Sequence, residues 1–207
     1  MAARALTDPR KRASQARSRS TVDALIEATA RILVRDGFDR ASTNRIAEAA
    51  GVSVGSLYQY FPSKEALVAA VIERHNRDLL RIVRRALADA ESQPVEQAVR
   101  TLVAAAIAAH RIDPKLHRVL AEQTPHLGPA QTVGALDRET YALFRGYLER
   151  HRESLRMPDL ELATFICATS IEALTHAAVL HRPDMLTDAD AETLVEEATR
   201  LVVGYLR

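Results

Sequence analysis

Residues 43–61 read TNRIAEAAGVSVGSLYQYF, and the small residues in this stretch predict two short helices joined by a tight turn. Ala47 is small at a point where two helix backbones must approach closely. Gly51 supplies the positive φ that the turn demands. The apolar side chains expected to face inward and form a small core are Ile46, Val52 and Leu57. The stretch therefore predicts a helix-turn-helix.

Hydroxyl side chains mark the starts of both short helices. Thr43 is expected to cap a helix over 44–50, and Ser53 a helix over roughly 54–60. The residues left on the outer side of the second helix are small or carry polar tips: Val54, Gly55, Ser56, Tyr58, Gln59 and Tyr60. Such a face suits the major groove of DNA, and no acidic residue interrupts it. The alternative is an ordinary tight helical hairpin in which the tyrosines are half-buried packing residues.

The charge of the chain is unevenly distributed. The formal net charge of the 207 residues is only +1. Residues 1–64 hold 11 Lys and Arg against 6 Asp and Glu, a net of +5, whereas residues 65–207 hold 17 against 21, a net of −4. A basic front and an acidic rear predict two modules, with the front one facing a polyanion.

Residues 1–19 form a basic segment, in which Ser, Ala and Gln stand between the basic residues, and it is predicted to be a flexible arm. Two interpretations of its arginines stay open. The segment is either a solvated tail, or its arginines enter the minor groove or neutralise phosphates next to the helix-turn-helix.

The rest of the chain has helical periodicity throughout, so the predicted fold is all-α with about nine helices. The first helix should begin at Ser20 or Thr21 and end at Gly37, and the fourth should run from Lys64 to about Ala90. A loop is expected at 124–129, and the later helices are predicted over 94–111, from Pro114 to about Gln123, 131–156, 159–181 and 188–206. The domains are then a helix-turn-helix domain over 20–64 and a larger helical domain over 65–207.

The stretch GFDRASTNRIAEAAGVSVGSLYQYFPSKEAL, residues 37–67, resembles the DNA-binding domain of the TetR family of bacterial transcriptional repressors. The resemblance implies that Thr43 holds a phosphate, that Asn44 reaches a base edge or a phosphate, and that Lys64 pairs with a phosphate. It places base reading on Val54, Gly55, Ser56 and Gln59, next to the Ser53 cap, and phosphate contacts on Tyr58 and Tyr60. Because no Arg lies on the outer face of the third helix, guanine reading would fall to Arg45 or to the arm.

The same resemblance implies a homodimer and a small-molecule effector. The dimer contacts would come from helices 159–181 and 188–206. A ligand pocket would lie among helices four to eight, and an alanine-rich helix 94–111 with nearby aromatics favours a mostly apolar ligand. The candidate lining residues are His110, Tyr141, Phe144, Tyr147, Glu172 and His176, each of which could equally be an ordinary core or surface side chain.

Metal binding, catalysis and export find no support in the sequence patterns. No two of the seven histidines have the i,i+4 spacing of a helical metal face, so no metal or other cofactor is expected. The G-x-S-x-G, phosphate-loop and H-E-x-x-H motifs of common enzymes are missing, which predicts a protein that is not an enzyme. With one cysteine, no signal peptide and no apolar run of 18 residues, the chain is expected in the cytoplasm and off the membrane.

The function expected from these features is a repressor that a small ligand releases from a palindromic operator in duplex DNA. The alternative is a ligand-independent or architectural DNA-binding protein on the same scaffold.

Overall fold

A computed structural model describes residues 16–123, 133–156 and 159–207 of the chain. In these ranges the fold is all-α, as predicted, with nine α-helices, two short 3-10 helices and no strand. The α-helices are α1 Ala16–Arg40, α2 Thr43–Ala49, α3 Val54–Tyr60, α4 Lys64–Ala90, α5 Val95–Arg111, α6 Pro114–Gln123, α7 Val133–Arg150, α8 Leu160–His181 and α9 Asp188–Leu206. The 3-10 helices are Arg152–Ser154 and Pro183–Leu186. Most of the arm, residues 1–15, and the loop predicted at 124–129 lie outside the described residues.

The first helix differs from its prediction at both ends. It begins at Ala16, so residues 16–19, which were assigned to the arm, are helical. Gly37 breaks the helical geometry with φ 77°, as predicted, but one further turn follows it up to Arg40. The Ala41 N–H donates to the Phe38 carbonyl at 3.1 Å and closes that turn. The sequence therefore predicted the break at Gly37 but not the helical turn that follows it.

The start of α2 is also one residue earlier than predicted. Ser42, not Thr43, is the N-cap, because Ser42 has extended backbone angles and its side chain accepts the Arg45 N–H. Thr43 is already helical. The predicted Ser53 cap of α3 is confirmed, and its side chain accepts the Ser56 N–H at 3.1 Å.

The chain divides into two compact units, and the first contains the described residues 16–75 and 118–123. Its core is built by α1, α2, α3 and the first part of α4. The largest fully buried side chains here are Leu25, Leu33, Ile46, Leu57, Phe61, Leu67, Val68 and Val71. The positions of Ile46 and Leu57 confirm the predicted small core of the helix-turn-helix, while Val52 is only half-buried.

The second unit contains residues 76–117 and 133–207. One apolar core joins the end of α4 with α5, α7, α8 and α9. Tyr147 and Leu148 of α7 are fully buried in it, as is Ala163 of α8. Burial of apolar surface is the main favourable contribution to folding, so α7 and the inner sides of α8 and α9 stabilise this unit.

Among the described helices, α8 alone is long and apolar enough to cross a membrane by length and composition. It passes on its mean hydropathy, since Glu161 and Glu172 interrupt its apolar residues and the helix holds no unbroken run of 18 apolar residues. A packed helix of a water-soluble protein passes the same test, and α8 contributes buried residues to the core of its unit.

Candidate nucleic-acid interface

The turn between α2 and α3 is fixed by Gly51. Its φ is 69°, in the left-handed region that favours glycine, as the sequence predicted. The Gly51 N–H donates to the Glu48 carbonyl and the Val52 N–H donates to the Ala47 carbonyl, both at 3.0 Å. These two bonds form a Schellman motif, which ends α2 and sets the direction in which α3 leaves.

Burial orients α3 about its axis. Leu57 is fully buried, and Ile46 on α2 is equally inaccessible to solvent. Gly55, Tyr58 and Gln59 are exposed on the other side of the helix. A helix anchored on one side by an apolar residue and open on the other is the arrangement that major-groove reading requires.

The first turn of α3 carries two linked serines. Ser53 is exposed and Ser56 is half-buried, and their hydroxyl groups lie 2.9 Å apart. Val54 between them is half-buried. The Ser53 and Ser56 hydroxyls can each rotate to donate to a new acceptor, because a hydroxyl has one donor and two acceptor lone pairs.

The first turn of α2 contacts the outer side of α3. The Thr43 hydroxyl lies 3.1 Å from the Tyr58 hydroxyl. Asn44, the next residue, is exposed. The Thr43 hydroxyl therefore lies on the same surface as the exposed side of α3, and Asn44 follows it in the first turn of α2.

Tyr60 does not lie on the outer side of α3, where the sequence analysis placed it. Its side chain is only 7% exposed and belongs to the core of the first unit. Tyr60 follows Leu57 by three residues, so helical geometry places both on one side of α3. Tyr58 and Gln59 project from the opposite side.

Two predicted DNA contacts, Arg45 and Lys64, have intramolecular partners. Arg45 donates to the Asp36 carboxylate at 2.6 Å and to the Arg40 carbonyl at 2.8 Å. The Asp36 carboxylate also pairs with Arg35, whose hydrogen bond is the main reason that the pKa of Asp36 is lowered. The Arg45 guanidinium thus holds α2 against the end of α1.

Lys64 likewise links the start of α4 to the end of α1. Its Nζ donates to the Phe38 carbonyl at 2.9 Å and lies 3.8 Å from the centre of the Phe38 ring. An ammonium group has three N–H donors, so this bond leaves others that can reach a phosphate.

Four of the six predicted ligand-lining residues fall into two groups in the second unit, and Tyr141 and Glu172 belong to neither. Phe144 and Tyr147 are buried in the apolar core, where Tyr147 stacks on His151 with ring centres 4.2 Å apart. Tyr141 donates from its hydroxyl to the backbone carbonyl of Glu161 at 2.8 Å. Glu172 is exposed.

The other group is a cluster of imidazoles that the sequence pattern did not reveal. His110 and His176, both predicted as ligand-lining residues, lie with ring centres 6.3 Å apart. His117, which was not a candidate, lies beside both. An i,i+4 spacing of histidines cannot indicate this cluster, because its members come from three different helices.

Two family models match the chain. The model described as "Bacterial regulatory proteins, tetR family" matches residues 25–71, which include the helix-turn-helix. The model described as "Tetracyclin repressor-like, C-terminal domain" matches residues 94–206, more than half of the chain.

Curated relatives are similar over shorter stretches. The nucleoid occlusion factor SlmA of Actinobacillus pleuropneumoniae serotype 5b (strain L20) is 52% identical over 44 residues, which are 21% of this chain and 22% of that protein. The HTH-type transcriptional activator FasR of Mycolicibacterium smegmatis (strain ATCC 700084 / mc(2)155) is 43% identical over 63 residues, 30% of this chain and 29% of that one. The chain thus matches less than a third of the length of either relative.

Solved structures share the fold over almost the whole chain. The crystal structure of a "putative TetR-family transcriptional regulator" from Mesorhizobium loti MAFF303099 is similar, with a TM-score of 0.72. The match covers 92% of this chain and 98% of that one at 19% sequence identity, which supports the fold alone. The two family models, one over the helix-turn-helix and one over more than half of the chain, show that the chain belongs to the TetR family of transcriptional regulators, which are DNA-binding proteins and not enzymes.

Proposed function

We propose that this regulator is a repressor that binds a palindromic operator as a homodimer and leaves it when a small ligand binds the second unit. The observation that carries the DNA-binding part is the outer side of α3. There Gly55, Tyr58 and Gln59 are exposed, while Leu57 anchors the opposite side in the core. Gly55 allows close approach to DNA, and the Gln59 amide can bond adenine in a bidentate way.

The contacts divide into base reading and phosphate binding. Val54, Gly55, Ser56 and Gln59 are the proposed base-reading set, with Ser53 at the start of the helix. Thr43, Asn44 and Tyr58 form the polar rim around α3 and are the proposed phosphate contacts. Because the Tyr60 side chain is buried, only its hydroxyl group is available to contact a phosphate.

The two cations near the helix-turn-helix have different proposed roles. Lys64 keeps the Gly37 kink in place and directs its remaining N–H groups to a phosphate. Arg45 is engaged with Asp36 and would have to exchange that carboxylate for DNA. Guanine reading, if the operator needs it, is therefore better assigned to arginines of the arm.

The proposed dimer uses α8 and α9. Phe165 of α8 is 57% exposed and Leu201 of α9 is 56% exposed in the single chain, and Leu162 and Tyr205 are exposed on the same two helices. Large apolar side chains left in water on two neighbouring helices are typical of a protein–protein interface. Ala198 and Val202 of α9 are buried in the core of their own unit and are therefore not part of this proposed interface.

In a homodimer the two α3 helices would be related by a twofold axis. Each could then enter the major groove of one half-site, and the half-sites would be roughly 34–36 Å apart or slightly more. α4 contributes residues to both units, so it is the proposed route by which a ligand in the second unit alters the placement of α3. Binding of DNA and binding of ligand would then weaken each other equally. Such a regulator would work in the cytoplasm.

The names of two curated relatives support a second candidate function. The relative with 52% identity over 44 residues is named as a nucleoid occlusion factor, not as a ligand-responsive regulator. Another relative is named as an activator. The alternative is therefore a ligand-independent or architectural DNA-binding protein on the same scaffold.

A footprint on the DNA that flanks the protein's own gene tests the proposal. We expect two protected half-sites related by symmetry and about one helical turn apart. Scattered protection without symmetry would favour the architectural alternative. No protection at low ionic strength, where phosphate contacts are strongest, would contradict DNA binding altogether.

A further inference from the structure

Three histidines of the second unit, each on a different helix, converge at one point. They are His110 on α5, His117 on α6 and His176 on α8. One ring nitrogen from each lies within 4.8 Å of the others, and His117 Nε2 is 2.9 Å from His176 Nδ1. Convergence of three imidazoles from separate helices is far more specific than two histidines on one helix face.

The local structure holds the rings in place. The Asp113 side chain accepts the Leu116 N–H at 2.9 Å at the start of α6, which fixes the turn that carries His117. His110 Nδ1 lies 2.7 Å from the Ala106 carbonyl oxygen. Because a carbonyl can only accept, His110 Nδ1 carries the proton, and in the neutral ring Nε2 has a free lone pair.

This tautomer is the one that metal-binding histidines adopt. A ligating imidazole usually donates its other N–H to a carbonyl or carboxylate, which orients the ring and raises its basicity. The Ala106 carbonyl supplies that partner for His110.

The three rings are also partly withdrawn from water. His117 is only 8% exposed, and His110 and His176 are half-buried. Such burial disfavours the charged form of an imidazole. Neutral imidazole is the form that binds metal ions.

We propose that His110, His117 and His176 form a three-imidazole site for a divalent transition-metal ion of the zinc class. In a tetrahedral zinc site with N–Zn bonds of 2.0–2.1 Å, the ligand nitrogens are roughly 3.3 Å apart. The separations here run from 2.9 Å to no more than 4.8 Å, so modest side-chain shifts would bring all three nitrogens to that spacing. Three protein ligands leave the fourth position open for water or for a donor atom of a small ligand.

The site does not depend on the proposed DNA function, because metal binding can be measured without DNA. Protein made without a histidine tag is stripped with a chelator and titrated with Co²⁺, whose visible absorption is strong when tetrahedral and weak when it is hydrated. We expect one Co²⁺ per chain with the strong spectrum, displaced by Zn²⁺. Histidine suits both ions, and zinc is preferred over cobalt in the general affinity order.

Variants separate a built site from surface binding. His117→Gln and His176→Gln should each weaken Co²⁺ binding by about tenfold or more and abolish the strong spectrum. His181→Gln is the matched control, since His181 is exposed on α8 outside the cluster and should bind metal like the wild type.

The buried position of His117 makes a folding control necessary. Helix content by circular dichroism and the metal-free melting temperature are measured for every variant, and His176→Gln, at a half-buried position, serves if His117→Gln unfolds. Zn²⁺ should raise the melting temperature of the wild type and of His181→Gln but not of His176→Gln. A Co²⁺ spectrum like that of the hydrated ion, or equal metal affinity in His176→Gln and wild type, would overturn the proposal.

Discussion

The Thr43 and Tyr58 hydroxyl groups lie 3.1 Å apart and join the first turn of α2 to the outer side of α3. Gly51 fixes the turn between the two helices, and Leu57 is buried on the inner side of α3. The contact between Thr43 and Tyr58 therefore lies on the side of α3 that faces solvent. Gln59 is exposed on the same helix, one residue beyond Tyr58. The proposed operator contacts rest on this orientation.

Gly51→Ala should destabilise the helix-turn-helix. Its φ of 69° is strained for any residue with a Cβ, although nothing lies within 4 Å of the added atom. The expected loss is about 1 kcal/mol in the free energy of unfolding, measured by urea denaturation without DNA. Gly55→Ala is the control, because Gly55 has no positive φ, its new Cβ would meet only the Ser53 hydroxyl at 3.9 Å, and alanine favours helix. Equal destabilisation by both variants would contradict the turn assignment.

Lys64→Ala should change two measurements. Loss of the bond to the Phe38 carbonyl and of the ring contact should lower the free energy of unfolding by about 1 kcal/mol. If Lys64 also binds a phosphate, affinity should fall similarly for all DNA sequences and the slope of log affinity against log salt should drop by about one.

Lys115→Ala, at an exposed position on α6, is the control for Lys64→Ala and should leave both measurements unchanged. A Lys64→Ala protein with altered base preference but normal overall affinity would refute the phosphate role.

Phe165→Glu should dissociate the proposed dimer. Phe165 is 57% exposed in the single chain, and an interface there would bury two unpaired carboxylates, one from each copy. Burying a charge without a partner costs several kcal/mol, so the dissociation constant should rise by about a hundredfold or more. Analytical ultracentrifugation measures it. Ile112→Glu, at an apolar position that is 68% exposed and outside α8 and α9, should leave the association state unchanged. A dimer that survives Phe165→Glu would place the interface elsewhere.

Cys167 should be unreactive in the folded protein. It is buried, and burial raises the pKa of its thiol from 9.0 to about 11, which disfavours the reactive thiolate. Between pH 9 and 11 the unfolded chain ionises first, so this group lowers stability as the pH rises through that window and contributes nothing below it. A thiol reagent at pH 8 should label the protein only after denaturant is added. Rapid labelling of the native protein would contradict the burial.

Local signals in the sequence were enough for much of the fold. Gly37 and Gly51 have the positive φ values expected of them, and Ser53 caps α3 as predicted. The bounds of α4 were also predicted, because its apolar periodicity is long and its start follows Pro62 and Ser63. Signals of this kind depend on a residue and its near neighbours in the chain.

Features that depend on tertiary packing were harder to predict. Ser42 and Thr43 are both good caps, and only the backbone angles decide between them. The hydroxyl group of Tyr60 suggests an exposed side chain, but the ring is buried in the core of the first unit. His110, His117 and His176 lie on three different helices, so their spacing along the chain does not predict that they form a cluster.

Selection of binding sites from a pool of randomised duplexes, carried out with the wild type and with Gln59→Ala, tests most directly whether the outer side of α3 reads DNA. Gln97→Ala, which removes an exposed glutamine from α5, is the control. The wild type and Gln97→Ala should enrich one palindrome, and Gln59→Ala should lose its base preference at a single position in each half-site, a change worth about 1–3 kcal/mol. Identical selected sequences from all three proteins, or no enrichment even at low ionic strength, would contradict the account.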